Sequence, residues 1–171
     1  MITAFLAWRT ATRHELTELG TEVALEGVLT QPADGSPGVQ VRGRIDRLEC
    51  DAQGRIVVVD VKTAKTPVSK DDAQHHAQLG LYQLAVAAGL LPDGDQPGGG
   101  RLVYVGKSTA AGDATEREQT PLGADDTPGW QETVRTAAAA TAGPYFAARV
   151  NDGCTHCPVR PSCPAHTRGR A

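Results

Sequence analysis

The stretch Ile56-Val57-Val58-Val59-Asp60-Val61-Lys62 constrains this chain more than any other. Its unbroken β-branched residues mark a strand apolar on both faces, as in the middle of a buried sheet. Just before it, VQVRGRIDRLEC (residues 39–50) alternates as a strand does, and DAQG (Asp51 to Gly54) has the composition of a hairpin turn. A hairpin whose second strand is central is therefore expected at the heart of the fold.

The remaining segments extend that hairpin. Ile2 to Thr12 reads as a short helix or the end of a longer one. Glu15 to Thr30 is rich in β-branched residues and holds two glycines, which suits an early strand. Pro32 to Gly38 is a turn-rich break. Ser69 and Asp71 offer N-caps for a single helix from about Asp72 to Ala88. LLPDGDQPGGG (residues 90–100) reads as a flexible loop, Arg101 to Lys107 as a strand, and Glu116 to Thr120 as a last strand. Trp130 to Ala142 is alanine-rich and helical, and Gly143-Pro144 ends it. This order predicts an α+β fold, a central mixed sheet flanked by helices. Residues 1–150 form its core, and residues 151–171 an irregular, cysteine-rich tail.

Composition narrows the class. The 171 residues fit one domain, and the net charge of -3 argues against a broad basic surface. No apolar run approaches a membrane span and no signal segment opens the chain, so a cytoplasmic protein without a membrane partner is expected. Three of the four cysteines lie within residues 154–163, a crowding that suits a metal or redox site better than disulfides.

Residues two apart on a strand share a face, so Asp60 and Lys62 project together while Val59 and Val61 point into packing. The hairpin brings Asp46 within reach of Asp60. Two carboxylates and an ammonium are costly to desolvate at the end of a buried strand. They suit phosphodiester hydrolysis, in which a hard cation takes the carboxylates and activates water while Lys62 orients that water or offsets developing charge. The plainer alternative is a surface hairpin with a salt bridge. Gln78 and Tyr82, four apart, share one helical face, with Gln74 one turn before. That face can bond a phosphate or hold Lys62; the alternative is a partly solvated helix with a core tyrosine.

GRIDRLE (Gly43 to Glu49), VVVDVKT (Val57 to Thr63) and QLGLYQLA (Gln78 to Ala85) resemble, in order and spacing, the blocks of RecB-like nucleases. These are members of the PD-(D/E)XK superfamily with a restriction-endonuclease-like fold, and the resemblance is nearest to the actinobacterial AdnA/AdnB type of helicase–nuclease. It implies a Mg²⁺- or Mn²⁺-dependent, exonuclease-like deoxyribonuclease that acts in double-strand break repair. DNA, a helicase motor domain in the same polypeptide and a partner helicase–nuclease subunit are the implied partners. Asp46, Asp60 and the Val61 carbonyl are the implied metal ligands, Lys62 is the catalytic lysine, and Gln78 and Tyr82 form the Q-x-x-x-Y block. The family also carries a metal-binding histidine upstream of the first aspartate block. Nothing before Asp46 matches it, and His14 lies in the wrong context. A lost opening helix is the expected reason, and a non-catalytic module that guides DNA or braces a subunit is the rival reading.

In the tail, Cys154 and Cys157 form a C-x₂-C pair beside Cys163. Such a pair suits one tetrahedral metal, and thiolates select zinc or an iron–sulfur cluster. The resemblance implies three of the four ligands of a [4Fe–4S] cluster, with the fourth cysteine upstream. Zn²⁺ held by the three cysteines with His156 or His166 is the alternative. Cys50 reads as an ordinary strand-end thiol, and Trp8 and Trp130 as core. Arg42, Arg44 and Arg47 either meet phosphates or pair with strand carboxylates. Glu26 reads as a solvated strand residue, and His75 and His76 are given no role.

Overall fold

A computed structural model describes residues 1–30, 38–107, 109, 112–144 and 147–167. Five strands form one mixed sheet in the order β1 (Leu16–Thr30), β2 (Val39–Asp51), β3 (Ile56–Lys62), β4 (Pro97–Tyr104) and β5 (Thr115–Gln119). β3 and β4 are parallel, and every other neighbouring pair is antiparallel. The valine run is thus the central strand, as its two apolar faces predict. The Asp51 carboxylate accepts from the amides of Gln53 and Arg55 at 2.9 Å, which closes the tight turn between β2 and β3. The expected break after Thr30 lies, apart from Gly38, outside the described residues.

Each face of the sheet has its own core. On one, Val58, Leu48 and Leu102 pack with Leu79, Leu84 and Val86 of helix α3 (Ala77–Ala87). On the other, Val57, Val59 and Val103 pack with Trp8 of helix α1 (Ile2–Thr12) and with Leu16. Successive β3 residues therefore serve opposite layers, and Asp60 and Lys62 fall on the α3 side.

The single helix expected over residues 72–88 is two. Helix α2 (Lys70–Gln74) starts at Ser69, whose hydroxyl accepts from Asp72 N, and the chain turns at His75 and His76 before α3 begins. The turn leaves helical carbonyls open, and Gln119 of β5 takes them. Its Nε2 donates to Ala73 O, Gln74 O and His76 O at 3.3, 2.9 and 3.2 Å.

The glycine-rich loop is also corrected, because β4 begins at Pro97 and Gly99 and Gly100 pair with Val57 and Val58. A Cβ on Gly100 would stand 3.1 Å from the Leu79 side chain, so bare backbone lets α3 settle onto the sheet. Gly99 has φ 108°, where side chains are strained.

Residues 1–135 form one compact unit and residues 136–171 another. Helix α4 (Thr127–Thr141) contributes Trp130 and Val134 to the first core, with Trp130 resting on Gly80. The second unit holds short 3₁₀ turns at Asp152–His156 and Arg160–Ser162 and a last helical turn, α5 (Pro164–Thr167). No helix among the described residues is long and apolar enough to cross a membrane.

Candidate active site

The β2–β3 ladder runs from Cys50↔Ile56 to Arg47↔Val59. Where it stops, the Asp46 side chain takes over the role of the next rung: its Oδ2 accepts from Val61 N at 2.8 Å. This anchors Asp46 between the residues that bear the other two groups of the expected centre.

Asp60 is 4% exposed. Its Oδ1 accepts from Gln78 Nε2 at 2.7 Å, and its Oδ2 lies 2.7 Å from Lys62 Nζ. That second contact is a charge pairing rather than a directed hydrogen bond, for Oδ2 is buried without a hydrogen-bond partner. The adjacent ammonium offsets part of the cost of burying the charge. Lys62 also donates to Gln78 Oε1 at 2.9 Å, so one carboxamide grips both charged groups. Gln78 Nε2 lies 3.2 Å from Tyr82 OH, which donates to Arg44 O at 2.8 Å and fastens α3 to β2. The expected i, i+4 face is thus present, and Tyr82 belongs both to the core and to the polar chain.

The structure therefore brings Asp46, Asp60, Lys62, Gln78 and Tyr82 together. Gln74 is not with them. The helix break turns it toward β5, where Nε2 donates to Glu118 O and Oε1 accepts from Thr120 N. Arg47 does not face solvent either; it is buried between Glu18 and Glu49, and its hydrogen bond holds the Glu18 carboxyl below the usual range. Arg42 and Arg44 are exposed and pair with Glu26 and Glu22. Cys50 is half-buried at the strand end. His14 occupies the turn before β1. A cavity of about 690 Å³ lies elsewhere, lined by Gln83, Gln119, Asp125 and Trp130 among others, and includes none of the central acids.

Two residues of this region carried no sequence signal. Glu22 adopts φ 53° between the pairs Thr21↔Arg47 and Val23↔Ile45, level with Asp46. A left-handed backbone is uncommon for a residue with a side chain. His76 precedes α3 with its Nδ1 buried and unbonded. Burial, and then the Lys62 ammonium, press its basicity below the ordinary histidine value, against the opposing pull of Asp60.

In the tail, Cys154, Cys157 and Cys163 are half-buried and are not joined in disulfides. Asn151 N donates to Cys154 Sγ at 3.3 Å. Among the described residues, no group of three or more His, Cys, Asp or Glu side chains is arranged to hold a metal ion. As they stand, the thiols do not form a cluster site.

Two carboxylates and a lysine thus stand where β2 and the central strand β3 part. The chain belongs to the PD-(D/E)XK nuclease superfamily, which matches residues 1–164. The superfamily indicates nuclease action on DNA, with divalent metal as the usual cofactor. No curated protein matches the chain. Its fold is similar to the crystal structure of SSO0001, with 21% identity, a TM-score of 0.58, and coverage of 96% of this chain and 68% of that one. At that identity the likeness concerns the fold alone.

Proposed function

We propose that this chain is the RecB-like nuclease module of a helicase–nuclease polypeptide of the AdnA/AdnB type, working with a partner subunit on broken DNA in the cytoplasm. The observation that carries the nuclease reading is the grip of Gln78 on both Asp60 and Lys62, with Asp46 bonded to the backbone between them. Residues 1–150 act as the nuclease core and residues 151–171 as its metal-bearing tail.

The donor set fits a hard divalent ion. Asp46, Asp60 and the Val61 carbonyl offer oxygen, and the buried Asp60 Oδ2 accepts no hydrogen bond. Mg²⁺ or Mn²⁺ held there supplies a Lewis acid for the scissile phosphate and lowers the pKa of bound water. Lys62, held by Gln78, orients the attacking water and offsets charge on the phosphate. Tyr82 keeps Gln78 in place from beneath. Strand ends are the substrate proposed, as for an exonuclease. In the longer polypeptide, Cys154, Cys157 and Cys163 supply three ligands of a [4Fe–4S] cluster, with zinc as the alternative; metal analysis of that polypeptide separates the two.

Asp60→Ala tests the reading. It is expected to abolish Mg²⁺- or Mn²⁺-dependent cleavage of linear DNA, while DNA-dependent ATP hydrolysis by the full helicase–nuclease stays near normal. Normal cleavage by the variant refutes the assignment. The centre shows two carboxylates and no third metal-binding side chain among the described residues, which favours a second reading as a DNA-guiding or subunit-bracing module. DNA binding without cleavage in the unmodified protein would establish it.

A further inference from the structure

Side chains alternate across a strand, so residues two apart share a face, and residues directly opposite on a neighbouring strand share it too. β1 and β2 break the alternation at the same level. On β2, Val41 and Ile45 pack into the core beneath α3, and so does Leu48, an odd number of residues further on. Arg47 and Glu49 belong to the other layer, where Arg47 lies over the Phe5 ring and Arg13 holds Glu49. The alternation therefore resets between Ile45 and Arg47, at Asp46. On β1, Val23, Leu25 and Leu29 join the α3 core. Thr21 pairs with Arg47 and Val23 with Ile45, so β1 resets between Thr21 and Val23, at Glu22. The pairs on either side stay in step.

Glu22 makes this reset at φ 53°, and it alone of the described non-glycine residues has a positive φ. Its neighbours Thr21 and Val23 are β-branched, so nothing local favours a left-handed backbone. Such a conformation persists only where the surrounding structure imposes it. The side chain does not account for it, because the Glu22 carboxylate is exposed and its pairing with exposed Arg44 at 3.1 Å contributes little. The reset does have a consequence at Asp46. A regular strand would send that side chain to one face of the sheet, whereas its Oδ2 meets Val61 N of the neighbouring strand at 2.8 Å. We infer that Glu22 is a positioning residue that acts through its backbone: its left-handed conformation resets β1, β2 follows in register, and the Asp46 carboxylate is thereby aimed at Val61 N. The inference rests on the nuclease reading of the site for its catalytic consequence, though not for the aim of Asp46. Under that reading Glu22 holds one oxygen donor in place relative to Asp60.

Amide hydrogen exchange at Val61 in the full chain reads the aim of Asp46, with Val58 of the same strand as reference. Asp46→Ala sets the rate with the bond gone. Glu22→Val, whose branched side chain resists positive φ, should speed Val61 exchange about tenfold relative to Val58, the worth of one hydrogen bond to a charged group. Glu22→Gly lacks the carboxylate and its pairing with Arg44 but keeps the conformation freely, and should hold Val61 at the unmodified rate. Glu22→Ala should fall between the two, and takes the place of Glu22→Val if that variant does not fold. Kinetics read the consequence. The Mn²⁺ concentration for half-maximal DNA cleavage should rise about tenfold in Glu22→Val and stay within about twofold in Glu22→Gly. Val61 protection that survives Glu22→Val, or that Glu22→Gly loses as well, overturns the inference. Equal acceleration of Val58 and Val61 means that Glu22 only supports the fold, and ends the proposal. An unmodified protein with no cleavage sensitive to Asp60→Ala would instead defeat the nuclease reading, and exchange at Val61 alone would then decide the role of Glu22.

Discussion

The two faces of the sheet both bury charge, and they treat it differently. Toward α1, Glu49 is fully buried and Arg13 Nη2 donates to both of its oxygens at 2.9 Å, while Arg47 joins Glu49 to Glu18. Beside them Arg101 pairs with Glu15 at 2.9 Å and Glu116 at 3.3 Å, and the Trp8 indole donates to Glu116. Toward α3, Asp60 and His76 each keep a buried atom without a hydrogen bond. Scaffolds close their buried polar networks, and an unclosed one is held open for a use or costs stability. The α1 face is framework by this criterion, and the α3 face carries the proposed site.

Substitutions that exchange the behaviour of the two faces test this contrast. Glu49→Ala should cost about 3–5 kcal/mol, because it strips buried Arg47 of a partner. Urea denaturation measures it, and a loss under about 1 kcal/mol would remove the distinction between the faces. Asp60→Asn should do the reverse. Its amide oxygen still accepts from Gln78, the buried charge is gone, and stability should hold or rise by about 1 kcal/mol. A marked drop in the same urea titration would make Asp60 framework too.

Glu116 gives the smallest effect and a pH signature. Burial pushes its carboxyl above the ordinary 4.5, outweighing the Trp8 bond and the Arg101 charge. A raised acid binds its proton more tightly folded than unfolded. Its contribution to stability is present below pH 4.5 and is lost as pH rises through the folded value. Glu116→Gln should therefore raise Tm modestly at pH 7, and the gap should close below about pH 4.5. A gap that widens in acid would show the carboxylate to be favoured by its surroundings.

The pattern of satisfied and unsatisfied groups was only partly visible in the chain. Alternation in residues 39–50 and the valine run gave β2, β3 and the turn between them, because side-chain period and turn chemistry are local properties. Asp46, Asp60 and Lys62 followed from that register. The α2–α3 break did not, since the carbonyls it exposes are satisfied by Gln119, more than forty residues away. The strand at Gly98–Gly100 reads as loop by composition, and its missing side chains are explained only by the fold: Leu79 approaches Gly100, and Gly99 has a positive φ. His76 carries no sequence signal for the same reason, since its Nδ1 is buried only once the chain is packed.

The bond from Val61 N to Asp46 has a practical side for anyone engineering a cleavage-dead protein that still grips DNA. Because the Asp46 carboxylate stands in for a backbone rung, truncating it removes an acid and also unfastens the two strands where they part. A silent enzyme made at Asp46 would confound lost chemistry with a frayed hairpin. Asp60→Asn leaves that fastening untouched, and under the proposed reading is the position from which to build an inert DNA-holding reagent.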